Sequence, residues 1–226
     1  MQKDPTVCID AVPLLVPSAG VKNYLQYWIE TLCGAQQGEV RLFPALSGAR
    51  LTLRHHASSA GAFDTGRALA LYYLVQAADL EILKPRCDLF HATKLMSPPR
   101  RSRLSATIHD LTCWLMPECH TAANVRAERE FAERIWKRAH GLIAVSESTR
   151  ADAVRLLGID EKRIKVIYSG VSPQYFEAGV AEATAAATAL GITPVHPIYR
   201  KYRASQEPGR GAGCLRRLDG LRAGGV

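Results

Sequence analysis

Apolar residues along the chain fall into two patterns, short unbroken runs and longer stretches spaced by three and four. The runs are Val7-Cys8-Ile9-Asp10-Ala11-Val12, Val40-Arg41-Leu42-Phe43, Asp88-Leu89-Phe90-His91-Ala92, Ser105 to Asp110, Gly141 to Ser146 and Ile164 to Ile167. Each is too short for a helix and reads as a strand. Between the first two, Val21, Tyr24, Leu25, Trp28, Ile29 and Leu32 recur with the one-face spacing of an amphipathic helix. Residues 66 to 80, with Leu69, Tyr72, Tyr73 and Gln76, predict a second helix. The clearest helix covers 122 to 140, where Val125, Ala132, Ile135, Trp136 and Ala139 share a face. Its other face alternates Arg with Glu, with Arg126–Glu130, Arg129–Glu133 and Glu133–Lys137 four apart. Glu147 to Leu157 predicts a last helix, stopped by Gly158. Strands alternate with helices and are apolar almost throughout, which implies a parallel sheet covered on both faces. The expected fold is α/β, a single doubly wound Rossmann-like sheet, with ligands beyond the carboxyl ends of its strands.

The intervening segments read as loops: Pro13 to Gly20, 44 to 65 with its Arg54-His55-His56 stretch, and the segment holding Pro98-Pro99. The organised domain is expected to span 1–177. An Ala-rich stretch within 178–194 predicts a linker helix, and 195–226 is rich in Gly and Arg without apolar periodicity.

Composition changes this picture little. The 226 residues are 47% hydrophobic and 22% charged, as in an ordinary globular protein. The net charge of +8 invites a nucleic-acid reading, but seven of the basic residues lie from Arg200 onward, against Glu207 and Asp219. That tail holds only Tyr199 and Tyr202 as aromatics, too few for a base-stacking surface, so no nucleic-acid partner is expected. Peripheral contact with a membrane is compatible with the mild basicity of the body. Cys8, Cys33, Cys87, Cys113, Cys119 and Cys214 include no C-x-x-C pair and read as reduced, structural residues. The N-terminus lacks an apolar leader core and no run approaches about 20 apolar residues. The expected location is cytoplasmic, at most at the inner face of a membrane.

Three places carry candidate chemistry. The turn Pro17-Ser18-Ala19-Gly20-Val21 precedes the first helix, whose N-terminus is a natural anion site; a loop glycine with positive φ is the alternative reading of Gly20. His91 and His109 stand at successive strand ends, where an imidazole can hydrogen-bond a sugar hydroxyl or move a proton, and Asp110 can orient the loop. Ser146-Glu147-Ser148-Thr149-Arg150 opens a helix behind a buried strand. There an anion held by the amides and Arg150 competes with plain N-capping by Ser146 or Ser148. No nucleophile elbow, Walker loop or H-E-x-x-H is present.

In order, these segments resemble the N-terminal domain of family-4 glycosyltransferases of the two-Rossmann-domain (GT-B) kind. The likeness runs through Gly20-Val21 with Tyr24, Asp88 to His91, Thr107-Ile108-His109-Asp110-Leu111, Pro117 and the long charged helix. It continues through Leu142 to Arg150, Gly158-Ile159, Lys165 to Val171 and Pro173 to Phe176. The resemblance implies transfer of a hexose from a nucleotide sugar to a glycan or lipid-linked acceptor, with retention and without a cofactor or an essential metal. It also implies that His109 contacts the donor sugar near the reacting carbon. Gly20 and Val21, joined by Ser146 and Arg150, would face the donor phosphates, and His91 and Asp110 the acceptor. The histidine-aspartate loop resembles mannosyltransferases of polysaccharide assembly.

The family binds its donor mainly with a second domain carrying two glutamates eight residues apart, and no such pair occurs here. Shifted by one base with permitted codons, Arg200 to Gly209 can be read as a stretch resembling the opening of that second domain. Residues from about 195 onward are therefore expected to be out of frame and disordered, and the chain inactive alone. The alternative is a non-catalytic module that binds an acceptor or partner and is completed by a separate donor-domain chain.

Overall fold

The computed structural model describes residues 4–17, 20–35, 38–45 and 58–170, together with Ala185, Thr188 and Ala189. The chain divides into two units, Met1–Gly170 and Val171–Val226. The expectations for the tail lie outside the described residues. Those for the linker helix do so as well, except that Ala185, Thr188 and Ala189 are helical.

Six strands organise the first unit: β1 (Thr6–Asp10), β2 (Glu39–Phe43), β3 (Leu89–Ala92), β4 (Arg103–Ile108), β5 (Gly141–Ala144) and β6 (Ile164–Val166). All pair in parallel, in the order β2-β1-β3-β4-β5-β6. The helices are α1 (Val12–Leu15), α2 (Gly20–Gly34), α3 (Ala62–Ala78), α4 (Thr112–Leu115), α5 (Ala122–Phe131) and α6 (Glu147–Leu157). Chain direction across the sheet reverses between β1 and β3, so a crevice opens at their carboxyl ends.

Alternate residues of each strand feed opposite layers. Ile9 on β1 packs under Leu25 and Ile29 of α2, while its neighbour Cys8 faces the larger core holding Phe90, Ile108 and Ile135. Each of these last three is fully buried and contributes roughly 1.5–3 kcal/mol by leaving water. α2 turns Leu25 and Ile29 inward as predicted, but Lys22 and Gln26 share that buried face, and Cys33, read from sequence as a structural cysteine, is exposed.

Several elements differ from the sequence expectation. The loop after β1 contains the helix α1, with Pro13 in its first turn, where a missing N–H costs no hydrogen bond. α3 begins at Ala62, four residues before the predicted start, because Asp64 and Gly66 are accepted in its opening turns. The long helix is not uniform. α5 passes into a π turn at Ala132–Trp136, where Lys137 N–H donates to the Ala132 carbonyl at 2.9 Å. The extra residue brings Phe131, Ala132, Ile135 and Trp136 all onto the sheet. On its outer face Glu133 pairs with Lys137 at 2.6 Å, and Glu130 takes Arg134 at 2.9 Å rather than Arg126, the favoured order with the acid N-terminal to the base.

A buried carboxylate fixes the crevice. Asp10, at the end of β1 and fully buried, accepts the backbone N–H groups of Thr93 (3.1 Å), Lys94 (2.6 Å) and Leu95 (2.7 Å) on one oxygen and that of Val12 (3.2 Å) on the other. Tyr72 of α3 donates its hydroxyl to the Lys94 carbonyl at 2.9 Å, and Gln76 receives Met96 N–H at 3.0 Å. The loop after β3 is thus held from β1 and from α3 at once.

Candidate functional site

A cleft of about 360 Å³ opens where the carboxyl ends of β3 and β4 meet the first turn of α2. α4 and α5 close its far wall, with Phe131 and Trp136 at its apolar base. Val21, His91, His109 and Asp110, all singled out from sequence, line this one space.

The two histidines have different chemistry. His91 is buried beneath Trp28 of α2, ring centroids 4.5 Å apart. Its Nδ1 lies 3.0 Å from the Ser105 hydroxyl and its Nε2 3.2 Å from the Thr107 hydroxyl, both on β4. Burial, and secondarily His109, pushes its pKa down to about 3, so it is neutral. Expected at the acceptor, it has both nitrogens committed within the chain. His109 is half-buried and stands edge-on to Tyr24 at 4.9 Å between ring centroids. Its ring nitrogens have no hydrogen-bond partner among the described residues. Burial lowers its pKa; Asp110 pulls upward and Lys94 pushes further down. A neutral imidazole that lines the cleft, without a ring partner among the described residues, can donate to one hydroxyl and accept from another.

Asp110 is exposed and orders the loop, as its position suggested. One oxygen accepts both the backbone N–H and the hydroxyl of Thr112, at 2.9 and 2.6 Å. That hydroxyl spends its proton on Asp110, so His120 Nε2, 2.9 Å away, donates to it. Sequence reasoning missed His120, Lys94 and Glu128, which also line the cleft. For Glu128 a signal existed: Asn124, Ala127, Glu128 and Phe131 lie at i, i+3, i+4 and i+7 and form the stripe of α5 facing the cleft.

Gly20 begins α2 without a positive φ, and a Cβ built on it meets nothing within 4 Å. Among the described residues, neither backbone conformation nor packing calls for glycine there, and the first turn of α2 reaches the cleft through Val21. Ser146 and Arg150 do not line this cleft. The Ser146 hydroxyl caps α6 by accepting Thr149 N–H at 3.0 Å, and Arg150 pairs with Glu147 at 2.6 Å and Glu161 at 3.3 Å. Among the described residues, no helix is long and apolar enough to cross a membrane.

The sequence model described as Glycosyltransferase Family 4 matches residues 19–175. O-antigen chain mannosyltransferase B of Escherichia coli is 24% identical over 207 residues, covering 84% of this chain and 51% of that protein. Among solved structures, HepE of Anabaena with UDP and glucose aligns at 18% identity and a TM-score of 0.40. Its complex with UDP-glucose aligns at 19% and 0.42; the two alignments cover 83% and 82% of this chain. The chain spans about half the length of each of these proteins.

Proposed function

This chain belongs to glycosyltransferase family 4, and we propose that its cleft serves transfer of a hexose, mannose in the first instance, from a nucleotide sugar to a glycan or lipid-linked acceptor. The observation that carries this reading is the His109 imidazole, neutral and without a ring partner among the described residues, edge-on to Tyr24 in a cleft at the strand ends. There it would hydrogen-bond the donor sugar beside the carbon that changes partners. The N-terminal amides of α2, from Gly20 and Val21 on, would meet the donor phosphates, whose growing charge as the sugar departs is what such dipoles stabilise. Asp110, through Thr112, fixes the loop that carries His109. Retention of anomeric configuration belongs to the same proposal, as does the absence of any cofactor requirement. The mannosyltransferase relative supports the choice of mannose. The polar rim and apolar base of the cleft suit a sugar ring, which offers hydroxyls at its edge and C–H groups on its faces.

The test is binding and hydrolysis of GDP-mannose and UDP-glucose by the purified chain, followed by calorimetry and by release of free sugar. Saturable binding of one nucleotide sugar, weakened by excess of its nucleotide diphosphate, supports the reading. Failure of both donors to bind would reject a donor site on this chain and favour a module that only holds an acceptor or a partner.

A further inference from the structure

We propose that Glu128 is a specificity residue of the cleft, accepting a hydrogen bond from an uncharged acceptor hydroxyl and disfavouring a phosphorylated group at that position. This rests on the reading of the cleft as a glycosyl-transfer site.

Glu128 lies on the inward stripe of α5, one turn before Phe131 at the base of the cleft. Its carboxylate is half-buried and makes no hydrogen bond or ion pair among the described residues. The other acids of this helix behave differently: Glu130 and Glu133 are on the outer face and hold Arg134 and Lys137. A carboxylate that is partly desolvated and left without a partner is costly. Its pKa is raised, by burial first and with Asp110 adding to it, while Lys94 and His120 pull the other way. Its oxygens are not among the fully buried unsatisfied atoms, so water reaches them in the cleft and a bound hydroxyl can take that water's place.

The surroundings narrow what that group is. Ala127 beside Glu128 leaves room for a ring, and among the described residues Lys94, the lysine acting on the carboxylate, is opposed by two carboxylates, Glu128 and Asp110. A neutral hydroxyl donates to a carboxylate in a short, charge-assisted bond. A phosphate offers only acceptor oxygens and a like charge, which a half-desolvated carboxylate repels. The acceptor presented here is therefore a neutral polyol, with any phosphate directed elsewhere.

The experiment compares the chain with Glu128→Gln by NMR titration, using methyl α-mannoside and mannose 6-phosphate as probes, with the thermal midpoint recorded for each protein. In the original chain the glycoside should bind about tenfold more tightly than the phosphate, as one charge-assisted hydrogen bond implies. E128Q should weaken the glycoside by a similar factor, narrow the preference, and leave the thermal midpoint unchanged or higher. Equal glycoside affinity in the two proteins, no glycoside binding by either, or a preference for the phosphate in the original chain overturns the proposal. GDP-mannose and UDP-glucose binding is measured in the same samples. If a donor binds while the glycoside comparison fails, only the role of Glu128 falls; if neither donor binds, the transfer reading falls, and the glycoside comparison still decides Glu128.

Discussion

Trp28 covers His91: the indole of α2 lies tilted over the imidazole at the end of β3, 4.5 Å between ring centroids. Beneath it, Ser105 and Thr107 of β4 take the two ring nitrogens. The helix is thereby pinned to the sheet through a polar ring. Two hydroxyls one pleat apart on a parallel strand are spaced to satisfy both nitrogens of a neutral histidine, and a charged one would have to donate from both in an apolar setting.

Stability should therefore fall in mild acid. The His91 pKa is about 3 when folded, against an ordinary value near 6.5. Between these values the unfolded chain binds a proton that the folded chain refuses. Stability is complete above about pH 6.5 and declines as pH falls through the window toward 3, by up to roughly 1.4 kcal/mol per pH unit. His91→Gln keeps a donor and an acceptor without a titrating ring. Urea midpoints from pH 7 to 4 should fall less steeply in that variant, and an equal slope would show that other groups carry the acid sensitivity.

Asp10→Asn should be strongly destabilising although it removes no atom. Three N–H groups converge on one carboxylate oxygen. An amide must either turn its NH2 toward them or leave Val12 N–H facing a donor. Donors stranded in a buried site cost about 1–3 kcal/mol each, so a loss of about 3 kcal/mol or more is expected in urea unfolding. Hydrogen exchange at Thr93, Lys94 and Leu95 should quicken more than at the centre of β4. An unchanged urea midpoint would refute the clamp.

Cys87 should be the first of the described cysteines to react at neutral pH. The neighbouring Cys8 thiol is the main cause that lowers its pKa to about 7, with the Ser102 hydroxyl 3.2 Å from its Sγ also lowering it, while the Cys8 thiol is itself raised. Alkylation by iodoacetamide, followed by peptide mass spectrometry, should label Cys87 ahead of the exposed Cys33 and Cys119 at pH 7, despite its lower exposure. Cys8 should stay unmodified. In Cys8→Ala the Cys87 reaction should shift to higher pH, and no shift would reject the pairing.

The sheet was legible because strands covered on both faces need apolar residues at nearly every position, as Val7 to Ile9 and Leu142 to Val145 have. Of the site, the residues at strand ends were legible for the same reason: once β3 and β4 are placed, His91 and His109 follow by position. What each histidine does was not. It depends on Ser105 and Thr107, which are ordinary strand residues until register sets them beside His91. The role of Asp10 was hidden inside an apolar run, since its partners lie 83 to 85 residues away. Ser146 and Arg150 read equally as an anion site or as a capped helix end, and only three-dimensional pairing with Glu161 shows where Arg150 is spent. Glu128 was lost among the charges of a helix judged by its exposed face.

His109 and His91 should separate cleanly under substitution. Among the described residues His109 has no hydrogen bond from its ring, so His109→Ala gives up its edge contact with Tyr24 and partial burial, and should cost stability modestly. His91→Ala leaves a cavity under Trp28 and two hydroxyls without their partner, and should cost several-fold more. On sugar release from a bound nucleotide sugar, measured with each variant supplemented by a family-4 donor domain, the order should reverse. His109→Ala is expected to slow turnover by about 10²-fold or more, the scale for removing one preorganised hydrogen-bonding group at a reacting centre. Because burial holds the His109 pKa below its ordinary value, the imidazole is neutral at pH 7, and the rate should hold steady as pH falls through about 6.5 before it declines. Thermal midpoints and single-turnover rates on the two variants check all three statements. A variant at His109 that unfolds readily yet keeps its rate would move the reacting centre away from the Tyr24 edge of the cleft.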